Sequence, residues 1–227
     1  MPTLRFRFTT ASGRRSSSAR IGALVIAGWT GRDAAAVEAH VRELEELGVP
    51  RPRTTPLFYR VSADLLTQAA EVAVLGGESS GEAEAVIVAT SGGLWVGVGS
   101  DHTDRHLERL DVARAKQCCA KAIGRELWPL GEVQAHWDSL MLRSHVQAGG
   151  IRELYQEGTL AELQSPRSLL GRYAEAGLAQ GAILFCGTLP VRGVVRGASR
   201  FEMELIDPVL GRTLHHAYTV RELPIVE

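Results

Sequence analysis

A chain of 227 residues has room for one large domain or two small ones, and 45% hydrophobic with 22% charged residues is the balance of a soluble globular protein. The formal net charge of −1 offers no general attraction to nucleic acid or to an anionic membrane. No apolar run approaches the roughly 20 residues that a membrane-crossing helix needs.

In chain order, "TLRFRF" reads as a strand, "TTASGRRSSSAR" as a flexible Gly/Ser/Arg loop, and "IGALVIAGW" as a buried strand. A basic, Ser-rich stretch followed by an apolar one loosely imitates an export signal or transit peptide. The apolar run is short, however, and no small-residue cleavage site follows it closely, so strand, loop, strand is the expectation. "DAAAVEAHVRELEELGVP" predicts a helix, with Ala36, Val37, His40, Val41 and Leu44 at helical spacing and a Gly/Pro stop. A Pro-rich connector, "RPRTTPLFYR", leads to a short helix through "ADLLTQAA", capped by Ser62.

From Val72 the pattern changes to strands: "EVAVLGG", "EAEAVIVA" and "GLWVGVGS", separated by Gly/Ser turns. A helix is expected across "DRHLERLDVARAKQCCAKA", then one long strand or two broken ones at "EVQAHWDSLMLRSHV". Short helices are expected at "GTLAELQ" and "PRSLLGRYAEAG". The end is β again, at "AILFCGT", "RFEMELID" and "RTLHHAYTV", the last two joined by the turn "DPVLG". No internal repeat or low-complexity linker divides the chain. The reading is one domain over residues 1–227, α+β and rich in β. Cys118, Cys119 and Cys186 make neither a disulfide framework nor a metal-ligand spacing, which fits a reducing, cytoplasmic setting.

Several constellations could carry chemistry. Glu82 and Glu84, two apart at the head of an apolar strand, leave one face together and repel unless a proton or a cation lies between them. A solvated strand end is the simpler alternative. Asp101 follows the next strand, where it could cap a helix or join the glutamates as a third oxygen ligand for a hard ion such as Mg²⁺ or Mn²⁺. His40 and Glu43, three apart on the first helix, share a face. They could be surface polar groups, or a base and its orienting acid. Lys116 is either an exposed helix lysine or a cation facing a developing oxyanion. Gly187-Thr188 is either a turn or a cradle for a carboxylate. His136 and Asp138 would share one strand face beside a packed Trp137, and His215 and His216 would point to opposite faces. Neither pair requires a function.

Taken in order, these segments resemble the fumarylacetoacetate hydrolase superfamily, which includes acylpyruvate hydrolases and related oxaloacetate decarboxylases. Glu82-Ala83-Glu84 matches its E-x-E pair, and Asp101-His102-Thr103-Asp104-Arg105 matches D-x-[ST]-x-R. Lys116 followed by "WPLGEV", and Gly187-Thr188 after an apolar strand, match its later motifs. "HVRELEELGVPRPRTTPLFYR" looks like its H-x-x-E lid helix and Pro-rich segment. The chain also departs from the pattern. Glu84 and Asp101 are only 17 positions apart, which predicts that a helical segment between those strands is trimmed. Gly131-Glu132 stands where relatives often have Gly-Pro, and the residues before the lid histidine differ.

The resemblance implies a mixed β-sheet roll with short peripheral helices, one divalent ion (Mg²⁺ or Mn²⁺) held by Glu82, Glu84 and Asp101, and a homodimer. It implies hydrolysis of a carbon–carbon bond in a diketo acid or acylpyruvate-like molecule. In that scheme His40 and Glu43 activate water, Lys116 offsets negative charge, and Arg105, Gly187 and Thr188 hold the substrate carboxylate. An oxo-acid decarboxylase or isomerase with the same metal site, and a relative that only binds organic acids, are the alternatives.

Overall fold

The computed structural model describes residues 1–46, 51–174 and 177–226, without the side chains of His40 and Leu44. The fold is α+β and β-rich. At its centre lie two antiparallel strands, Ala83–Thr90 and Gly93–Asp101, joined by the two-residue turn Ser91-Gly92. No helix intervenes, in keeping with the short spacing between Glu84 and Asp101. Beyond the first strand follow Ala182–Thr188, Ala23–Gly28 and Leu57–Val61; beyond the second follow Glu126–Pro129, Thr3–Thr10 and Gly13–Arg20. With two short bridging segments these make a ten-stranded mixed sheet.

That sheet is buried on both faces, so its central strands read as continuous apolar runs rather than alternating ones. One face carries Ala85, Ile87, Val96 and Val98 and packs on a five-stranded sheet through Leu142, Met203, Leu205 and Tyr218. The other face carries Val86, Val88 and Phe185. It gathers Phe6 and Phe8 from one side of the sheet and Leu24 and Ile26 from the other, so the sheet curls on itself around a second core. The five-stranded sheet runs Ile151–Thr159, Met141–Ala148, Arg200–Asp207, Arg212–Leu223 and Glu71–Leu75.

The first helix forms at Ala34–Glu46, where the Asp33 carboxylate accepts hydrogen bonds from the amides of Ala35 (2.8 Å) and Ala36 (3.2 Å). Its predicted Gly/Pro stop lies outside the described residues. Five expectations need correction. The Gly/Ser/Arg loop is a strand, Gly13–Arg20, paired along its length with Thr3–Thr10. It is an exposed edge without apolar alternation, so only the neighbouring backbone reveals it, and its arginines discourage further strand pairing. The helix at "ADLLTQAA" is a single 3-10 turn, Ala63–Leu65, with the Ser62 cap in place.

The single helix predicted at 104–122 is two, Arg105–Glu108 and Val112–Cys118, each capped by its own aspartate, Asp104 and Asp111. The strand Lys121–Ile123 follows and pairs with Gly93–Asp101. Finally, "EVQAHWDS" is helical at Leu130–Val133 and Gln134–Ser139, and the strand begins only at Met141. Val133, Ala135 and Trp137 alternate as a strand would, yet Val133 and Trp137, one helical turn apart, are the pair that is buried. His136 and Asp138 therefore share no strand face. His136 meets Asp207 at 3.0 Å, while Asp138 pairs with Arg32 at 2.7 Å. "GTLAELQ" likewise ends a strand and adds one 3-10 turn, Leu160–Glu162.

Candidate metal centre

The pleat decides which side chains meet. Ala85 and Ile87 face the five-stranded sheet, so Glu84 points with Val86 toward the inside of the curled sheet. On the neighbouring strand Val96 and Val98 face the five-stranded sheet, so Asp101 points to the same side as Glu84. Glu82 lies just before its strand, and its carbonyl accepts the Asp101 amide at 3.0 Å. Each of the three carboxylates offers an oxygen within 4.8 Å of the others. Glu84 and Asp101 are fully enclosed and Glu82 is partly so.

Three cations surround this cluster. Lys116, on the helix Val112–Cys118, hydrogen-bonds Asp101 Oδ2 and lies 3.5 Å from Glu82 Oε2. Lys121 pairs with Asp101 Oδ1 at 2.9 Å and donates to the His102 carbonyl. Arg105 Nη2 lies 3.3 Å from Glu82, while its other nitrogens bond Glu108 (2.6 Å) and Ser80 (2.7 Å). Tyr59 lies 5.9 Å below Lys116 and receives the Trp29 indole N–H at 3.4 Å. The Trp29 backbone is left-handed, at φ 60°.

The charges are placed unequally. Burial opposes ionisation of Asp101, but Lys116 and Lys121 outweigh it and hold the carboxyl at about 2. Burial, reinforced by Asp101 and Glu82, pushes Glu84 well above the usual carboxylate range. Burial likewise opposes the charge of Lys116, yet Asp101 and Glu82 raise it above an ordinary lysine. Among the described residues no cation reaches Glu84 within ion-pair distance; its one hydrogen bond is from the Gly187 amide, at 2.6 Å. Three hard oxygen donors, one of them without a counter-charge, fit a divalent cation.

Six residues singled out in the sequence thus meet at this centre: Glu82, Glu84, Asp101, Lys116, Arg105 and Gly187. Some partners differ from those the resemblance implies. The Gly187 amide supports Glu84 rather than a ligand carboxylate, and it needs glycine twice over. Its φ is 98°, and a Cβ there would collide with Thr30. The Thr188 hydroxyl donates to the Ala83 carbonyl (2.8 Å) and accepts from Gln156 (2.7 Å), so it ties two strands together. Arg105 is bonded to three protein groups. His40 and Glu43 lie on the helix Ala34–Glu46. The His40 side chain is outside the described residues, and Glu43 is exposed.

Lys121, Gln156 and Thr30 are participants that the sequence reading missed. Lys121 had a signal, a second lysine five residues after Lys116. Gln156 and Thr30 had none, because each acts across a long separation in the chain.

The family model described as "Protein of unknown function (DUF2848)" matches residues 27–218. No curated protein matches the chain. Among solved structures, a protein provisionally named a fumarylpyruvate hydrolase, from Burkholderia cenocepacia, is 17% identical with a TM-score of 0.65, covering 97% of this chain and 96% of its own. One provisionally named a fumarylacetoacetate isomerase/hydrolase, from Oleispira antarctica, is 18% identical with a TM-score of 0.63, covering 94% and 99%. A 2-keto-3-deoxyarabinonate dehydratase is 17% identical with a TM-score of 0.66, covering 93% of this chain and 78% of its own. At these identities the likeness establishes the fold, which is that of the fumarylacetoacetate hydrolases.

Proposed function

The chain belongs to the DUF2848 family, and from that premise we propose that it is a divalent-metal-dependent enzyme that hydrolyses a carbon–carbon bond in a diketo acid. The observation that carries this reading is the meeting of Glu82, Glu84 and Asp101, with Glu84 buried beyond ion-pair reach of any described cation. The fold likeness to proteins named as hydrolases and a dehydratase of keto acids supports the substrate class.

Glu82, Glu84 and Asp101 would hold Mg²⁺ or Mn²⁺. The bound ion supplies Lewis-acid polarisation of a keto-acid carbonyl. Lys116 and Lys121 keep Asp101 ionised, and Lys116 also offers positive charge to the oxygen on which negative charge develops. His40, with Glu43 one turn further along the helix, takes a proton from the water that attacks the distal carbonyl. As the carbon–carbon bond breaks, its electron pair passes to the keto-acid fragment, which then takes up a proton. Arg105, paired with Glu82 beside the cluster, would meet the substrate carboxylate.

The test is turnover of acylpyruvates by the purified chain, followed by loss of enol absorbance, before and after exhaustive chelation. Activity should vanish with chelator and return with Mg²⁺ or Mn²⁺; undiminished turnover in chelator would exclude the mechanism. Release of CO₂ from oxaloacetate in the same assay would instead support the decarboxylase. His40→Ala should slow hydrolysis by about 10²-fold or more, the usual cost of losing a general base. An unchanged rate would remove His40 from the scheme.

A further inference from the structure

Ser100, Asp101, His102 and Thr103 are four consecutive polar residues, all buried. Asp101 faces the acidic cluster, while its two neighbours turn the other way, toward the five-stranded sheet, and meet there on a single group. The Tyr218 hydroxyl lies 2.9 Å from Ser100 Oγ and 2.8 Å from His102 Nδ1, and His102 Nε2 lies 2.9 Å from Ser79 Oγ. Tyr218 is wholly buried on the strand Arg212–Leu223, packed against Phe201 with ring centroids 5.7 Å apart.

We propose that this buried chain, Ser79–His102–Tyr218–Ser100, positions Asp101 for cation binding from behind the sheet, with Tyr218 as its fixed point. The inference rests on the metal-centre reading and adds a set of residues that touch no ligand. They are positioning residues.

Proton bookkeeping supports the assignment. A neutral imidazole has one N–H and one bare nitrogen. If Nδ1–H donates to Tyr218, then Ser79 donates to Nε2 and Tyr218 donates to Ser100. If Nε2–H donates to Ser79, then Tyr218 donates to Nδ1 and Ser100 donates to Tyr218. Both arrangements satisfy all three contacts with a neutral ring.

The chain also governs the counter-charge. The His102 carbonyl accepts from Lys121, the same lysine that pairs with Asp101 Oδ1, and the Thr103 hydroxyl donates to the Asp101 carbonyl at 3.0 Å. Removing the Tyr218 hydroxyl would leave polar groups on both sides of Asp101 buried without that partner. Such groups shift position or recruit solvent.

The test is Mn²⁺ affinity, read from the free-ion EPR signal on titrating the full chain, with thermal unfolding measured alongside. Tyr218→Phe should weaken Mn²⁺ by about 10- to 100-fold, the usual cost of removing an outer-shell partner. Tyr155→Phe is the control: it removes another buried tyrosine hydroxyl, one that accepts the Arg196 amide at 3.3 Å far along the chain from the cluster. It should leave Mn²⁺ affinity unchanged whatever it does to stability. His102→Gln, which keeps one donor and one acceptor, should bind Mn²⁺ more tightly than His102→Ala. The proposal is overturned if Tyr218→Phe binds Mn²⁺ like the parent, or if it loses no more affinity than Tyr155→Phe. Failure of the parent chain to bind Mn²⁺ is a different result, and it removes the metal reading itself along with this one.

Discussion

The molecule pairs opposite charges in two very different places. On the outer face of the five-stranded sheet Arg143 meets Glu157 (2.7 Å) and Glu204 (3.8 Å), and Glu202 meets both Arg152 and Arg200 (2.9 Å each). At the end of the central strands Asp101 meets Lys116 and Lys121. The distances overlap, but Arg143 and Glu157 keep 31% and 28% of their side-chain surface, whereas Asp101 and Lys121 keep none. In the first setting water screens the attraction and side-chain entropy consumes much of the rest. In the second the charges have lost their hydration, so each persists only because its partner is present. Distance alone does not rank an ion pair; the loss of solvent does, and only the enclosed cluster has the demanding electrostatics that a cation site needs.

The sharpest way to break this contrast is at Lys121. Lys121→Met keeps most of the stem's packing but leaves Asp101 Oδ1 and the His102 carbonyl buried without that cation. Breaking one side of a buried pair costs about 3–5 kcal/mol, and urea unfolding should register a loss of that size. Replacing Asp101 as well should recover part of it, since no unpaired charge then remains. A loss under about 1 kcal/mol, the range of exposed pairs, would mean that Lys116 alone compensates Asp101 and that the two regions do not differ as argued.

Legibility in the sequence follows the same division. The clustered carboxylates are readable because backbone geometry fixes them: Glu82 and Glu84 are two apart, and Asp101 closes a strand whose partner is reached through a two-residue turn. The apolar strands were readable from burial. What failed had no apolar signal or an ambiguous one. Gly13–Arg20 shows no alternation because it is an exposed edge, and Val133, Ala135 and Trp137 satisfy a period of two and a helical turn alike. The partners of the Thr188 hydroxyl in the fold, Ala83 and Gln156, cannot be read from the sequence because they lie 105 and 32 residues away. Buried hydrogen-bond chains such as Ser79–His102–Tyr218 are invisible for the same reason.

An intermediate case sharpens the comparison. Asp207 is buried, yet much of its compensation comes from two neutral backbone donors, Val209 N (3.1 Å) and Leu210 N (3.0 Å), beside the His136 ring (3.0 Å) and the Arg212 guanidinium (3.2 Å). Burial works against its charge, but the Leu210 amide, His136 and Arg212 lower its pKa below the ordinary 3.8. A carboxyl depressed in the folded state contributes stability above its unfolded pKa and loses it as pH falls. Asp207→Asn should therefore cost about 1–3 kcal/mol near pH 7, the range for unsatisfied buried hydrogen-bonding groups. The gap between parent and variant should close as pH falls below about 3.8. A gap independent of pH would assign the effect to turn geometry rather than to charge.

The smallest effect belongs to the open face. Arg143 is bonded to Glu157 and lies near Glu204, a geometry that would dominate a count of contacts. Arg143→Ala should nevertheless cost no more than about 1 kcal/mol, because solvent already meets much of what the carboxylates need. That remainder should shrink as ionic strength rises, since partly exposed pairs are screened over roughly 10 Å at 0.1 M salt. The Lys121→Met loss should respond far less to salt, because neither Asp101 nor Lys121 exposes side-chain surface to the screening solvent. Running both variants through one salt series places the two kinds of pair on one scale. Equal salt dependence would show that solvent screens the Asp101–Lys121 pair as it screens the outer one, and burial would then not separate the two settings.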